Sequence, residues 1–131
     1  MKIKLTSVFV DNQDKALKFY TEVLGFVKKE EMPVGKFKWL TVVSPEELDG
    51  TELLLEPNDN QAAKTYQMAI FKQGIPATTF SVKDVQKEYE RMKKLDVVFT
   101  LGPTETGSGS VAIFDDTCGN FIQIVQNRSK K

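Results

Sequence analysis

The sequence predicts an α+β protein of two βαβββ repeats forming an incomplete barrel-like sheet around a cleft, with the helices outside. Three observations lead there. A strand-helix unit occurs twice, as Thr6 to Phe26 (TSVFVDNQDKALKFYTEVLGF) and as Thr78 to Val97 (TTFSVKDVQKEYERMKKLDV). Superposing Val10 on Val82 brings Asn12 onto Asp84 and Lys15 onto Lys87, and Leu24 then meets Leu95 with the second helix one residue shorter. Third, each unit is followed by short strands with apolar residues on both faces, so each sheet needs a cover besides its own helix. Two sheets side by side around a shared concavity supply it.

Taken in order, Lys2 to Val10 alternates as a strand, with Ile3, Leu5, Ser7 and Phe9 on one face and Thr6, Val8 and Val10 on the other. Asn12 or Asp14 caps a helix whose Ala16, Phe19, Tyr20, Val23 and Leu24 recur at helical spacing, and Gly25 ends it. Phe26 to Met32 and Phe37 to Val43 read as a hairpin around Pro33-Val34-Gly35, and Glu52 to Glu56 as a fourth strand after the turn-rich Ser44 to Gly50. Asp59 or Asn60 caps a connecting helix through Lys72, with Ala63, Tyr66, Ile70 and Phe71 as its apolar stripe. The order then repeats: a strand to Val82, a helix from Asp84 to Leu95, and a strand from Val97 to Leu101. A Gly- and Ser-rich loop from Thr104 to Ser110, a strand from Val111 to Phe114, a turn from Asp115 to Asn120 and a strand from Phe121 to Gln126 complete it. The chain is read as one domain over 1–131, with the first copy at 1–57, a linker helix at 58–74 and the second copy at 75–127.

With 131 residues and 40% hydrophobic composition, the chain can bury one sizeable core. Eighteen basic and eighteen acidic residues cancel without long runs of either sign, which argues against a nucleic-acid partner. Arg128 to Lys131 reads as a frayed, solvated end. No apolar stretch approaches the roughly 20 residues that span a bilayer, and the N-terminus enters an alternating strand without a signal-peptide core. A cytoplasmic protein without a membrane partner is expected.

Cys118 is the single cysteine, so no internal disulfide forms, and with no histidine in the chain it lacks the base that would activate a thiol. It is read as a small turn residue. Asp115-Asp116 lacks the alternating oxygens of a calcium loop and belongs to a turn. The Thr106 to Ser110 run has no following helix and no phosphate-binding lysine, so it is read as a mobile hairpin at the cleft's rim.

Val10-Asp11-Asn12-Gln13-Asp14-Lys15-Ala16-Leu17-Lys18-Phe19-Tyr20 with Leu24-Gly25-Phe26, then Phe80-Ser81-Val82-Lys83-Asp84-Val85, then Phe114 to Gln123 resemble the vicinal-oxygen-chelate superfamily. That group includes glyoxalase I, bleomycin-resistance proteins, fosfomycin-resistance enzymes and extradiol dioxygenases. The likeness covers nearly the whole chain, and implies the fold more sharply than the reaction. Its metal-using members hold a divalent ion with His or Glu residues from the first and last strand of each copy. Those positions fall here on Leu5, Leu54, Ala77 and Gln123. A single neutral amide does not repay the dehydration of such an ion, so no metal and no cofactor are expected.

If Leu5 and Leu54 line the cavity, then Ser7, Phe9 and Glu56 join them in the first copy, with Trp39 and Thr41. Ala77, Thr79, Ser81 and Gln123 do so in the second. Such a surface, apolar with a few hydroxyls and one amide, suits a small molecule. Glu52 and Glu56 share the face of Leu54 but stand about 13 Å apart, too far for one ion or a carboxylate pair. Two readings from different classes stand beside each other, with a third after them. One is a metal-free binding protein for an apolar or aromatic small molecule, resembling the bleomycin-resistance members and, as the family implies, homodimeric. The other is a lyase, isomerase or dioxygenase-like enzyme with Glu56 or a tyrosine as acid-base group. A third is a vestigial cleft in a domain that acts through protein contacts.

Overall fold

Alternation in β1 (Leu5–Val10) buries Val8 and Val10 and leaves Leu5 and Ser7 exposed, so one face of the strand packs under a helix and the other does not. The computed structural model describes residues 1–127; the expected frayed end at Arg128 to Lys131 lies outside the described residues. After β1 come α1 (Gln13–Lys18), a π-helical turn (Phe19–Val23), β2 (Val27–Val34), β3 (Phe37–Val43), β4 (Glu52–Pro57) and α2 (Gln61–Lys72). Then follow β5 (Thr78–Ser81), α3 (Val85–Lys93), β6 (Phe99–Thr106), β7 (Gly109–Asp115) and β8 (Phe121–Asn127). Two four-stranded sheets, ordered β1-β4-β3-β2 and β5-β8-β7-β6, have the same topology, with β1 parallel to β4 and β5 parallel to β8. These are two βαβββ modules, and neither sheet closes into a barrel.

The chain divides into one unit of Met1–Met68 with Thr117–Gly119 and another of Ala69–Asp116 with the residues from Asn120 on. In the first unit Asn12 caps α1 by accepting from the Lys15 N–H at 2.9 Å. Ala16 and Tyr20 are then buried with Leu40, Val42 and Leu55. Gln13, also buried, ties the helix to the sheet by donating to the Lys38 and Leu55 carbonyls, each at 2.8 Å. The helix runs on past Lys18 as a wider π turn, where the Thr21 hydroxyl donates back to the Leu17 carbonyl at 2.7 Å and the Leu24 N–H reaches the Phe19 carbonyl.

Tyr66, expected in the apolar stripe of α2, is 60% exposed, and the stripe's buried members within the first unit are Ala63 and Gln67. Gln67 earns burial through hydrogen bonds. It accepts from Asn58 at 2.8 Å and donates to the carbonyls of Phe9 at 2.9 Å and Cys118 at 3.3 Å. Gly119 makes room for it: a Cβ there would lie 2.7 Å from Gln67 Nε2, at a φ of +102 that side chains disfavour.

In the second unit Asp84 caps α3 through the Lys87 N–H at 3.0 Å, and Val85 and Met92 are buried with Ala112, Phe114, Ile122 and Ile124. The rings of Tyr89 and Phe99 meet edge to face at 4.7 Å. The stretch from Thr104 to Ser110, expected as a loop with a hairpin at Thr106 to Ser110, is mostly strand: β6 runs to Thr106, β7 starts at Gly109, and only Gly107 and Ser108 turn. Gly109 serves close approach rather than mobility, since any Cβ there would strike the Gln126 carbonyl. The first hairpin also turns later than expected, at Gly35 and Lys36, because Pro33 and Val34 continue β2. The Asp115 to Asn120 turn forms as expected, with Asp116 accepting from the Asn120 backbone and side-chain N–H groups at 3.1 and 2.8 Å.

Candidate functional site

Strand register gathers the first unit's expected ligand residues on one face, opposite α1. Leu5 pairs with Glu52, Ser7 with Leu54 and Phe9 with Glu56 along β1 and β4, while Thr41 pairs with Leu54 across β3. Trp39 lies two residues along β3 from Thr41 and therefore shares that face. The middle of the face is buried at Thr41 and Leu54, whereas Leu5 and Ser7 are exposed and Phe9, Trp39 and Glu56 half-exposed.

Thr41 is not free to meet a ligand. Its hydroxyl donates to Glu52 Oε1 at 2.7 Å, and Lys4 Nζ, on a side chain 77% exposed, lies 3.2 Å from Glu52 Oε2. The Thr41 hydrogen bond, assisted by Lys4, holds the Glu52 carboxyl below the usual glutamate value against the opposing effect of burial. Trp39 Nε1–H donates to Glu30 Oε1 at 3.1 Å, which fixes the indole by its edge. Glu56 makes no hydrogen bond or ion pair among the described residues. The Glu30 and Lys4 contacts escaped sequence reading because they depend on cross-strand register: that of β2 and β3, which a bulge between Lys28 and Glu30 shifts, and that of β1 and β4, which sets Leu5 opposite Glu52.

In the second unit Thr79 pairs with Gln123 and Ser81 with Val125, on the face opposite α3. Ala77 shares that face by alternation, and Ala77, Thr79 and Ser81 are all exposed. The Thr79 hydroxyl donates to Gln123 Oε1 at 3.1 Å. Ile113 pairs with Gln123 and Leu101 with Ile113, which adds apolar side chains beside the amide. Phe121 carries Phe71 stacked on it, ring centroids 4.2 Å apart.

A divalent ion does not fit these positions. Leu5, Leu54 and Ala77 have no donor atom, and the one amide oxygen, Gln123 Oε1, already accepts from Thr79. Among the described residues no group of three or more His, Cys, Asp or Glu side chains stands close enough to hold a metal. A recess of about 730 Å³ in the first unit, lined by Lys2 to Lys4 and Glu47 to Thr51, includes none of the expected ligand residues. No helix among the described residues is long and apolar enough to cross a membrane.

The two βαβββ modules agree with a family assignment that rests on the sequence itself. The chain belongs to the Glyoxalase/Bleomycin resistance protein/Dioxygenase superfamily, whose family model matches residues 2–124. It is 63% identical over 126 residues to the protein YurT of Bacillus subtilis (strain 168), covering 96% of this chain and 99% of that one. It is 29% identical to a lactoylglutathione lyase of Neisseria meningitidis, with 98% of this chain and 93% of the lyase covered. Among solved structures, TnmS3, an antibiotic binding protein from Streptomyces sp. CB03234, superposes with a TM-score of 0.75 at 27% identity, covering 98% of this chain and 97% of that one.

Proposed function

We propose that this protein is a metal-independent member of its superfamily that binds an apolar or aromatic small molecule on the sheet faces opposite α1 and α3. What supports this reading is the chemistry at the four positions that the family resemblance assigns to metal ligands: Leu5, Leu54 and Ala77 carry no donor atom, and Gln123 offers one neutral amide whose oxygen accepts from Thr79. The same faces offer half-exposed apolar surface, with Phe9 and Trp39 on one and Ile113 and Val125 on the other, and sparse polar groups to orient a ligand. The likeness to an antibiotic binding protein supports binding. The likeness to a lactoylglutathione lyase keeps a catalytic reading in view, with Glu56 as acid-base group, since its carboxylate is half-exposed and makes no hydrogen bond among the described residues. The protein is further read as a homodimer, in keeping with the exposed Met32 and Val34 on the β2 edge of the first sheet.

Titration of the purified, chelator-treated protein with 2-methylnaphthalene, followed by methyl and amide NMR, tests the reading. Saturable shifts at Leu5, Leu54, Ala77, Thr79 and Gln123 are expected. Absence of saturable shifts, or shifts confined to the helices, contradicts it. If turnover of a substrate is found, Glu56→Gln separates the two readings: loss of turnover with binding retained favours catalysis.

A further inference from the structure

We infer that the second sheet selects, within the ligand class proposed above and resting on that reading, compounds carrying a neutral carbonyl oxygen, which Gln123 Nε2 engages as donor. The inference starts from the polarity of one hydrogen bond. Thr79 donates its hydroxyl to Gln123 Oε1 at 3.1 Å, and the two residues sit opposite each other in the parallel β5–β8 register. An amide has one acceptor end and one donor end. Thr79 takes one of the two lone pairs of Oε1 and so holds the amide in one orientation, which leaves the NH2 group to donate. That group has no hydrogen-bond partner among the described residues, and Gln123 is half-exposed on the face that α3 leaves open.

The surroundings decide what kind of oxygen it meets. Ile113, paired with Gln123, and Val125, two residues along β8, are half-exposed and apolar. A ligand lying over them loses water around its polar group, and the group then needs a protein partner. No lysine or arginine lies on the strand positions of this face, whose one charged residue is the acidic Asp115 at its end, opposite Phe121. A carboxylate ligand would therefore be desolvated without a counter-charge, whereas a ketone, quinone or amide carbonyl needs a single neutral donor. Thr79 acts as a positioning residue: without its hydroxyl the amide is free to turn over and present its oxygen instead.

Three probes of one ring system test this: 2-methylnaphthalene, 2-acetylnaphthalene and 2-naphthoate, with affinities from equilibrium dialysis and the Gln123 side-chain NH2 signals followed by NMR. The ketone should bind about threefold to tenfold tighter than the hydrocarbon, the worth of one net hydrogen bond, and move the Gln123 NH2 signals. The carboxylate should bind more weakly than the ketone. Gln123→Leu should abolish the preference for the ketone over the hydrocarbon, read as the ratio of the two affinities in the variant, and Thr79→Val, with Gln123 intact, should reduce the preference. Equal binding of ketone and hydrocarbon, a preference that survives Gln123→Leu, or tighter binding of the carboxylate overturns the inference and leaves the binding function standing. If none of the probes binds, both fall together.

Discussion

Thr41 illustrates how a residue on the ligand face can serve the fold instead of a ligand. Its hydroxyl donates to Glu52 and accepts from the Glu30 N–H at 3.2 Å, so β2, β3 and β4 are joined through one side chain. Thr41→Val should cost about 1.5–3 kcal/mol at neutral pH, the range for a hydrogen bond to a charged group. The pH dependence has a fixed sign. Because the folded Glu52 carboxyl is held below its usual value, its contribution is complete above that usual value and is lost as pH falls through the folded one. Urea unfolding should show the gap between wild type and Thr41→Val narrowing from neutral pH to about pH 3. A gap that stays constant would show that the carboxylate is not what the hydroxyl serves. At this scale alternation put Leu5, Ser7 and Phe9 on one face of β1, while the family resemblance was needed to set Glu56 of β4 beside them, where the β1–β4 register has it. Gln67 was not, because a buried glutamine at a helix-stripe position reads as polar surface until the Phe9 and Cys118 carbonyls it satisfies are seen.

The helices of the two modules begin alike, and this was the most legible feature of any element. Asn12 and Asp84 both take extended backbone and accept from the N–H three residues on, at 2.9 and 3.0 Å. Asn12→Ala and Asp84→Ala should each lower stability by about 1 kcal/mol, measured by chemical denaturation. Asp84→Asn should recover most of that loss, and a neutral Asp84→Ala would mean that α3 is held by packing alone. Element bounds were less legible where one residue type has two uses. Glycine and serine at 106 to 110 suggested a loop, yet Gly109 belongs to a strand because only its bare backbone fits beside Gln126. Similarly, the spacing of Phe19, Tyr20 and Val23 gave a helix, but not the π turn, in which the Leu24 N–H reaches back to Phe19.

For the whole molecule, the repeat predicted the two βαβββ modules because the order of elements follows from the sequence of periodicities and turns, and the structure gives both the same strand order. The split of the chain was less legible: the division falls inside α2, and Thr117–Gly119 joins the first unit through the Cys118 carbonyl, which accepts from Asp11 and Gln67. Such long-range hydrogen bonds leave no periodic trace. Met32 and Val34 of β2 remain 51% and 59% exposed, apolar surface that a second copy would cover. Light scattering at high protein concentration should give the mass of a homodimer, and a monomeric mass would remove that explanation for the exposed surface.

As proposed, the scaffold works without a bound metal. After incubation with Zn, Ni, Mn and Fe(II) salts and gel filtration, elemental analysis of the folded protein tests it most directly. The expected result is no stoichiometric metal, because Leu5, Leu54 and Ala77 offer no donor and the Gln123 oxygen is engaged. One tightly held ion per chain would contradict it.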